Sequence, residues 1–243
     1  MTEDSPPHPP PVGEAPAGTP ADPRAGLFDI VIEFVGEWSE PLRAALVSAA
    51  ERIEGFVLGD LPDVALPSAA EPLVAVDDLL IRAELPTVDG VGGAFGAAGP
   101  TLLRAGSLLP FMAQMRFDAD DAAALDAQGM WDEVALHEML HCLGFGTLWA
   151  AKGLTAPGSG AYTGPAGMAE YAALGNAGPV PVELTGGLGT AGLHWSEAVF
   201  LEELMTGWMS DAGHLSKLTV GSLSDLGYVL APRAAWVVDA AYA

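Results

Sequence analysis

Histidine, glutamate and histidine stand at positions 137, 138 and 141 within WDEVALHEMLHCLGFG, the run from Trp131 to Gly146. Val134, Leu136, Leu140 and Leu143 give this run apolar support at helical spacing and Gly144 gives it a stop, so it reads as a helix. Positions i and i+4 lie one above the other on a helix, which lets His137 and His141 reach one tetrahedral zinc ion while Glu138 stands beside the open coordination position. Zinc lowers the pKa of its bound water towards about 7 and polarises a carbonyl, and a neighbouring carboxylate takes the water's proton and passes it to a leaving amine. The chemistry indicated is peptide hydrolysis. The plain alternative is two histidines packed on a half-buried helix face, but with five histidines in the chain this spacing around a glutamate is rare by chance.

A hydrolytic zinc site needs a third protein ligand and keeps the fourth position open. Cys142 points about 100° around the helix from His141 and reads as a buried thiol. The pattern H-E-x-x-H-x-x-G-x-x-H calls for histidine at 147, where Thr147 stands. His214 is a reserve ligand, a lone loop histidine otherwise solvated. Glu197, Glu202 and Glu203 are carboxylates acceptable to zinc, and any of them as ligand would make a gluzincin-like peptidase. Asp118, Asp120 and Asp121 read as helix-start residues instead of ligands, and His8 sits in a proline-rich tail.

HEMLHCLGFGTLW, a long insertion, HWSEAVFLEELMTG and LSKLTVGSLSDLGYVL together resemble the leishmanolysin family of metzincin zinc peptidases and its bacterial relatives, over roughly Leu109 to Leu230. In that family an insertion after the glycine displaces the third histidine. The resemblance implies His194 as third ligand and Met205, eleven residues on, as the methionine of a turn beneath the metal. It also implies that LPFMAQMRFD supplies an edge strand, with substrate extended alongside Met112 to Phe117 as an added strand. The chain departs from the family in lacking cysteine pairs and a cysteine-bearing propeptide. Two other classes compete: a zinc-binding module that captures peptides without cleaving them, against which Glu138 argues, and an acidic interaction protein with no zinc.

These residues need a scaffold. LFDIVIEFV (Leu27 to Val35) alternates as a strand, with Phe28, Ile30, Ile32 and Phe34 on one side. Ser39 can cap a helix whose first turn tolerates Pro41 and whose stripe is Leu42, Ala45, Leu46, Ala49 and Ile53. Leu79 to Leu85 and Met112 to Phe117 read as strands, the second with a wetter face, and Gly90 to Gly99 as a loop. A short helix follows Phe117. Residues 150–193 form a long connection with one short helix near Ala166 to Leu174, Ser196 to Met205 is helical, and Leu215 to Gly227 is a last helix closed by glycine. The expected class is α+β: a twisted mixed sheet with helices in residues 26–146, and a largely irregular part, 147–243, supplying His194 and Met205, with the cleft between them. Residues 1–25 are expected to be a disordered acidic tail.

Composition narrows the partners. With 243 residues, 50% of them hydrophobic, the chain can bury a sizeable core. Thirty-two acidic residues against nine basic ones give a formal charge of −23, a surface that repels nucleic acid and anionic lipid, so the expected partner is a protein or peptide substrate. No spaced EF-hand loop accompanies the acidity. One cysteine excludes an internal disulfide. No apolar run reaches the roughly 18 residues of a membrane helix, and the N-terminus lacks a signal peptide's basic start and apolar stretch. A soluble protein is expected, cytoplasmic or exported by a leaderless route.

Overall fold

The computed structural model describes residues 26–66, 74–87, 90, 92, 96–209 and 213–239. The expected tail, with His8, lies outside them. Strand β1 (Ile30–Val35) is followed by helix α1 (Glu40–Glu54), which has Pro41 in its first turn and buries the expected stripe together with Ala50. The short strands β2 (Val64–Leu66) and β3 (Val74–Val76) form an antiparallel pair that periodicity does not predict, since three residues are too few to show alternation. Then come β4 (Leu79–Glu84), β5 (Gly96–Leu103), β6 (Pro110–Phe117), α2 (Ala119–Gln128) and α3 (Trp131–Cys142). The remainder carries β7 (Ala161–Tyr162), α4 (Pro165–Ala173), β8 (Val180–Pro181), α5 (Glu197–Phe200) and α6 (Lys217–Leu226). The class is α+β.

The main sheet has the order β1-β4-β6-β5, with β1, β4 and β6 parallel and β5 antiparallel to β6. Register puts Ile32, Ile81 and Ala113 side by side, and Phe34, Ala83 and Met115 in the next row. These residues form the core face of the sheet. The other face carries Val31, Glu33, Arg82 and Arg116, all exposed. α3 packs on β5, β6 and α1, so the sheet's apolar face is what holds the helix of His137 and His141.

Three sequence expectations are corrected here. Met112 to Phe117 is an interior strand, and its wetter side chains, Met112, Gln114 and Arg116, belong to the sheet's outer face and not to an edge. The edges are β1 and β5, and β5 begins inside the stretch expected to be a loop. Gly96 serves packing, because a Cβ there would press on the Phe117 ring at 2.8 Å. The helix expected from Ser196 to Met205 ends at Phe200. Leu201 takes φ +50°, and the chain then turns so that the Leu204 N–H bonds the His214 carbonyl at 2.9 Å.

Elsewhere local chemistry sets the boundaries as expected. Asp118 caps α2 by accepting from the Asp120 N–H at 2.8 Å, and it also accepts from Gly90 N–H, while Asp121 accepts from Gly92 N–H. These aspartates are helix-start residues that also pin the glycine-rich stretch. Trp131 opens α3, fully buried, with its ring 4.7 Å from Phe117 and its Nε1 donating to the Leu42 carbonyl at 3.2 Å. It joins α3, β6 and α1. Trp131→Ala should therefore cost about 3–5 kcal/mol of stability, read as a lower urea midpoint.

Candidate metal centre

α3 presents His137 and His141 one turn apart, and the segment after the long insertion brings His194 to them. The three Nε2 atoms lie 3.1 Å (137 to 194), 3.1 Å (137 to 141) and 3.0 Å (141 to 194) apart. Each ring's other nitrogen faces a backbone carbonyl: His137 Nδ1 the oxygen of Leu204 at 2.7 Å, His141 Nδ1 that of Phe145 at 3.0 Å, His194 Nδ1 that of Thr190 at 3.1 Å. A carbonyl only accepts, so every Nδ1 carries the proton and every Nε2 presents a bare lone pair to the same point. Three lone pairs without a proton between them repel unless a cation sits among them. Zinc–nitrogen bonds of about 2.0–2.1 Å at tetrahedral angles place nitrogens roughly 3.3 Å apart, close to the spacing found. The donor set fits such an ion.

Burial keeps the rings neutral. It pushes the His137 pKa down to about 3, reinforced by His194, and lowers His141 and His194 as well. Glu138 lines the same cleft, half-buried, and burial pushes its carboxyl up to about 7. The cleft has a volume of about 470 Å³ and draws its walls from β5 (Ala97, Ala98), from α3, from residues within 188–209 and from Gly213.

Two devices bring His194 in. Gly146, at φ +68°, lets the Leu193 backbone approach so closely that a Cβ there would collide with the Leu193 carbonyl oxygen. Behind it, Trp195 packs on Phe145 (5.2 Å), Trp149 (4.7 Å) and Tyr162 (5.2 Å), and its Nε1 donates to Thr219 Oγ1 at 2.9 Å. The backbone around His194 runs between two neighbours: the Glu183 N–H donates to the His194 carbonyl at 2.9 Å, and Trp195 N–H to that of Met205 at 3.0 Å.

Met205 is fully buried in a turn whose preceding residue, Leu204, holds His137. Glu203 organises that turn. Its buried carboxylate accepts from Met205 N–H at 2.5 Å, from Ser216 Oγ at 2.6 Å and N–H at 3.3 Å, and from Thr219 Oγ1. Sequence reasoning offered Glu203 as a ligand and missed this role, although a glutamate two residues before the methionine in an apolar stretch was the available signal. None of Glu197, Glu202 and Glu203 joins the histidine cluster among the described residues. Glu202 is exposed and stands 3.9 Å from His214, which lies away from the cluster. The Cys142 thiol is buried against the Gln114 carbonyl, its pKa raised by burial. Thr147, where the shorter pattern wants histidine, lines the cleft instead.

A second group, Asp29, Asp77 and Asp78, was not singled out from sequence. It is tied into the fold: Asp78 accepts from the N–H groups of Asp29 at 2.8 Å and Leu61 at 2.6 Å, and burial pushes it up to about 6. No family model and no curated protein matches the chain.

Two outcomes follow from this geometry. Gly146→Ala should destabilise by about 2 kcal/mol or more and weaken metal binding by displacing His194, measured by thermal melting and zinc titration. A histidine whose folded pKa lies well below its usual 6.5 competes with metal only at pH values near that lower figure. In a Glu138→Gln protein, which removes the carboxyl beside the ligands, zinc affinity should thus fall less between about pH 6.5 and 5.5 than it would with three ordinary imidazoles. Calorimetric titrations at the two pH values would decide the matter.

Proposed function

We propose that the chain is a zinc-dependent endopeptidase of the metzincin type, akin to the leishmanolysin-like family. The observation that carries this reading is the convergence of three neutral imidazoles, His137, His141 and His194, in a cleft that also contains Glu138. Imidazole suits zinc, and three protein ligands leave a position for chemistry. The burial of Met205 in a turn that fastens both His137 and the residue after His194 adds support.

When bound, zinc supplies Lewis acidity, acidifying water and polarising the scissile carbonyl. Glu138 accepts a proton from water and hands it to the departing amine, a task suited to a carboxyl whose pKa lies near neutrality. β5 pairs only with β6 among the described residues, so its outer edge is open beside the cleft and can bind an extended peptide by backbone hydrogen bonds. β5 thus takes over the substrate-binding role that the family resemblance implied for Met112–Phe117. The three carbonyls behind the imidazoles fix the ring orientations throughout. Glu138 beside the three imidazoles favours hydrolysis over capture without cleavage, because it stands where a water bound at the open position would lose its proton.

Glu138→Gln should leave zinc content near one equivalent while lowering turnover of a broad peptide library by roughly two to four orders of magnitude. Wild-type protein loaded with zinc that cleaves no peptide would refute the peptidase reading, and folded protein that takes up no zinc would refute the site.

A further inference from the structure

β1, β4 and β6 are parallel, and a parallel sheet is ordinarily covered on both faces. Here the helices that pack on the main sheet, α1 and α3, lie on its core face. The register defines what the opposite face presents. Val31, Leu80, Met112 and Leu102 stand side by side in one row across all four strands, with Val31 52% and Leu102 44% exposed. In the next row Glu33 lies beside Arg82 and Arg82 beside Gln114, and in the one after it Glu84 lies beside Arg116. Arg82 meets Glu84 at 3.2 Å, whereas Arg116 is exposed and makes no ion pair among the described residues. Two arginines thus answer two glutamates, and the face is locally neutral on a chain of formal charge −23 with only nine basic residues.

We propose that this face docks on the same face of a second copy of the chain, forming a two-fold dimer. Charge selects the partner: a second copy is repelled by the acidic remainder of the surface but not here, whereas a basic partner is drawn to that acidic remainder instead. The pattern is also self-complementary. Because the strand order is β1-β4-β6-β5, a two-fold axis parallel to the strands and midway between β4 and β6 lays β4 over the partner's β6 and β1 over the partner's β5. The apolar row then lies on its own copy, Leu80 facing the partner's Met112 and Val31 the partner's Leu102. In the charged row Glu84 faces the partner's Arg116, and Arg116 the partner's Glu84. Since Glu84 and Arg116 are also neighbours within each chain, the four charges form a ring of alternating sign. Strand directions in the two sheets stay within about 30° of each other, the ordinary aligned packing. Four strands about 4.8 Å apart make a face roughly 20 Å on a side, about half of the ~800 Å² per partner of a standard interface, so the dimer is weak and reversible. α3 and the metal cleft lie on the far side of the sheet, and the inference is independent of the peptidase reading.

The test is sedimentation equilibrium of the full chain from about 10 µM to about 1 mM in about 0.15 M salt, where dimer should grow in with concentration. Arg116→Glu makes the ring of four charges wholly acidic and Glu84→Arg makes it wholly basic. Each variant, shown to be folded by circular dichroism, should weaken the dimer roughly 30-fold or more. Mixed in equal amounts, the two variants should associate with each other about as well as wild type does with itself, because every facing pair is then of opposite sign. Misfolding of either variant does not produce that recovery. A wild type that stays monomeric throughout the range, variants that dimerise as wild type does, or a mixture that stays monomeric overturns the inference.

Discussion

Three lone pairs aimed at one point are the constraint around which the C-terminal half is arranged. The imidazoles of His137, His141 and His194 cannot share that point by hydrogen bonding, because backbone carbonyls hold the protons on the far side of each ring. The carbonyls come from Leu204, Phe145 and Thr190, so the ligand set is oriented by three loops at once, each of which must be fixed in place. Desolvation then lowers the proton affinity of the rings and keeps them available to a cation.

The loops are fixed by different means. Phe145 belongs to an aromatic cluster with Trp149, Tyr162 and Trp195, which buries large apolar surfaces and joins the end of α3 to the segment bearing His194. Leu204 is held by a buried carboxylate, Glu203, whose four donors come from the turn and from the start of α6. Replacing such a network piecemeal leaves N–H groups buried without acceptors, the costly half of hydrogen-bond energetics. Asp225 plays a similar part farther out, accepting from Tyr162 Oη at 2.8 Å and from the Ala166 and Gly167 N–H groups at 2.9 and 2.8 Å, which docks α4 on α6.

The scarcity of cations gives several of them structural duties. Arg104, buried, donates to the carbonyls of Pro62, Asp77, Asp78 and Pro110, holding the β3–β4 turn to the start of β6. Lys152 bonds the Leu226 carbonyl at 2.6 Å and also that of Ser107, and Arg233 meets Glu170 at 2.7 Å. Among the described residues no lysine or arginine lines the cleft, whose acidic residues are Glu133, Glu138 and Glu203.

By itself the sequence determined what depends on near neighbours. The i, i+4 spacing of His137 and His141 with Glu138, the apolar stripe of α1, the capping aspartate of α2 and the glycine that closes α6 are all local, and a helix or strand period exposes them. His194 and Met205 were legible only through resemblance to a family, since 53 residues separate His141 from His194 and no spacing rule spans an insertion of that length. The tertiary structure alone decided the rest. Edge and interior strands have similar alternation, so only sheet order could assign the open edge to β5 and enclose β6. Glu203 and Glu133 look alike as acidic residues in the chain. One is surrounded by donors and the other by none, and that difference arises only when segments distant in sequence are packed together.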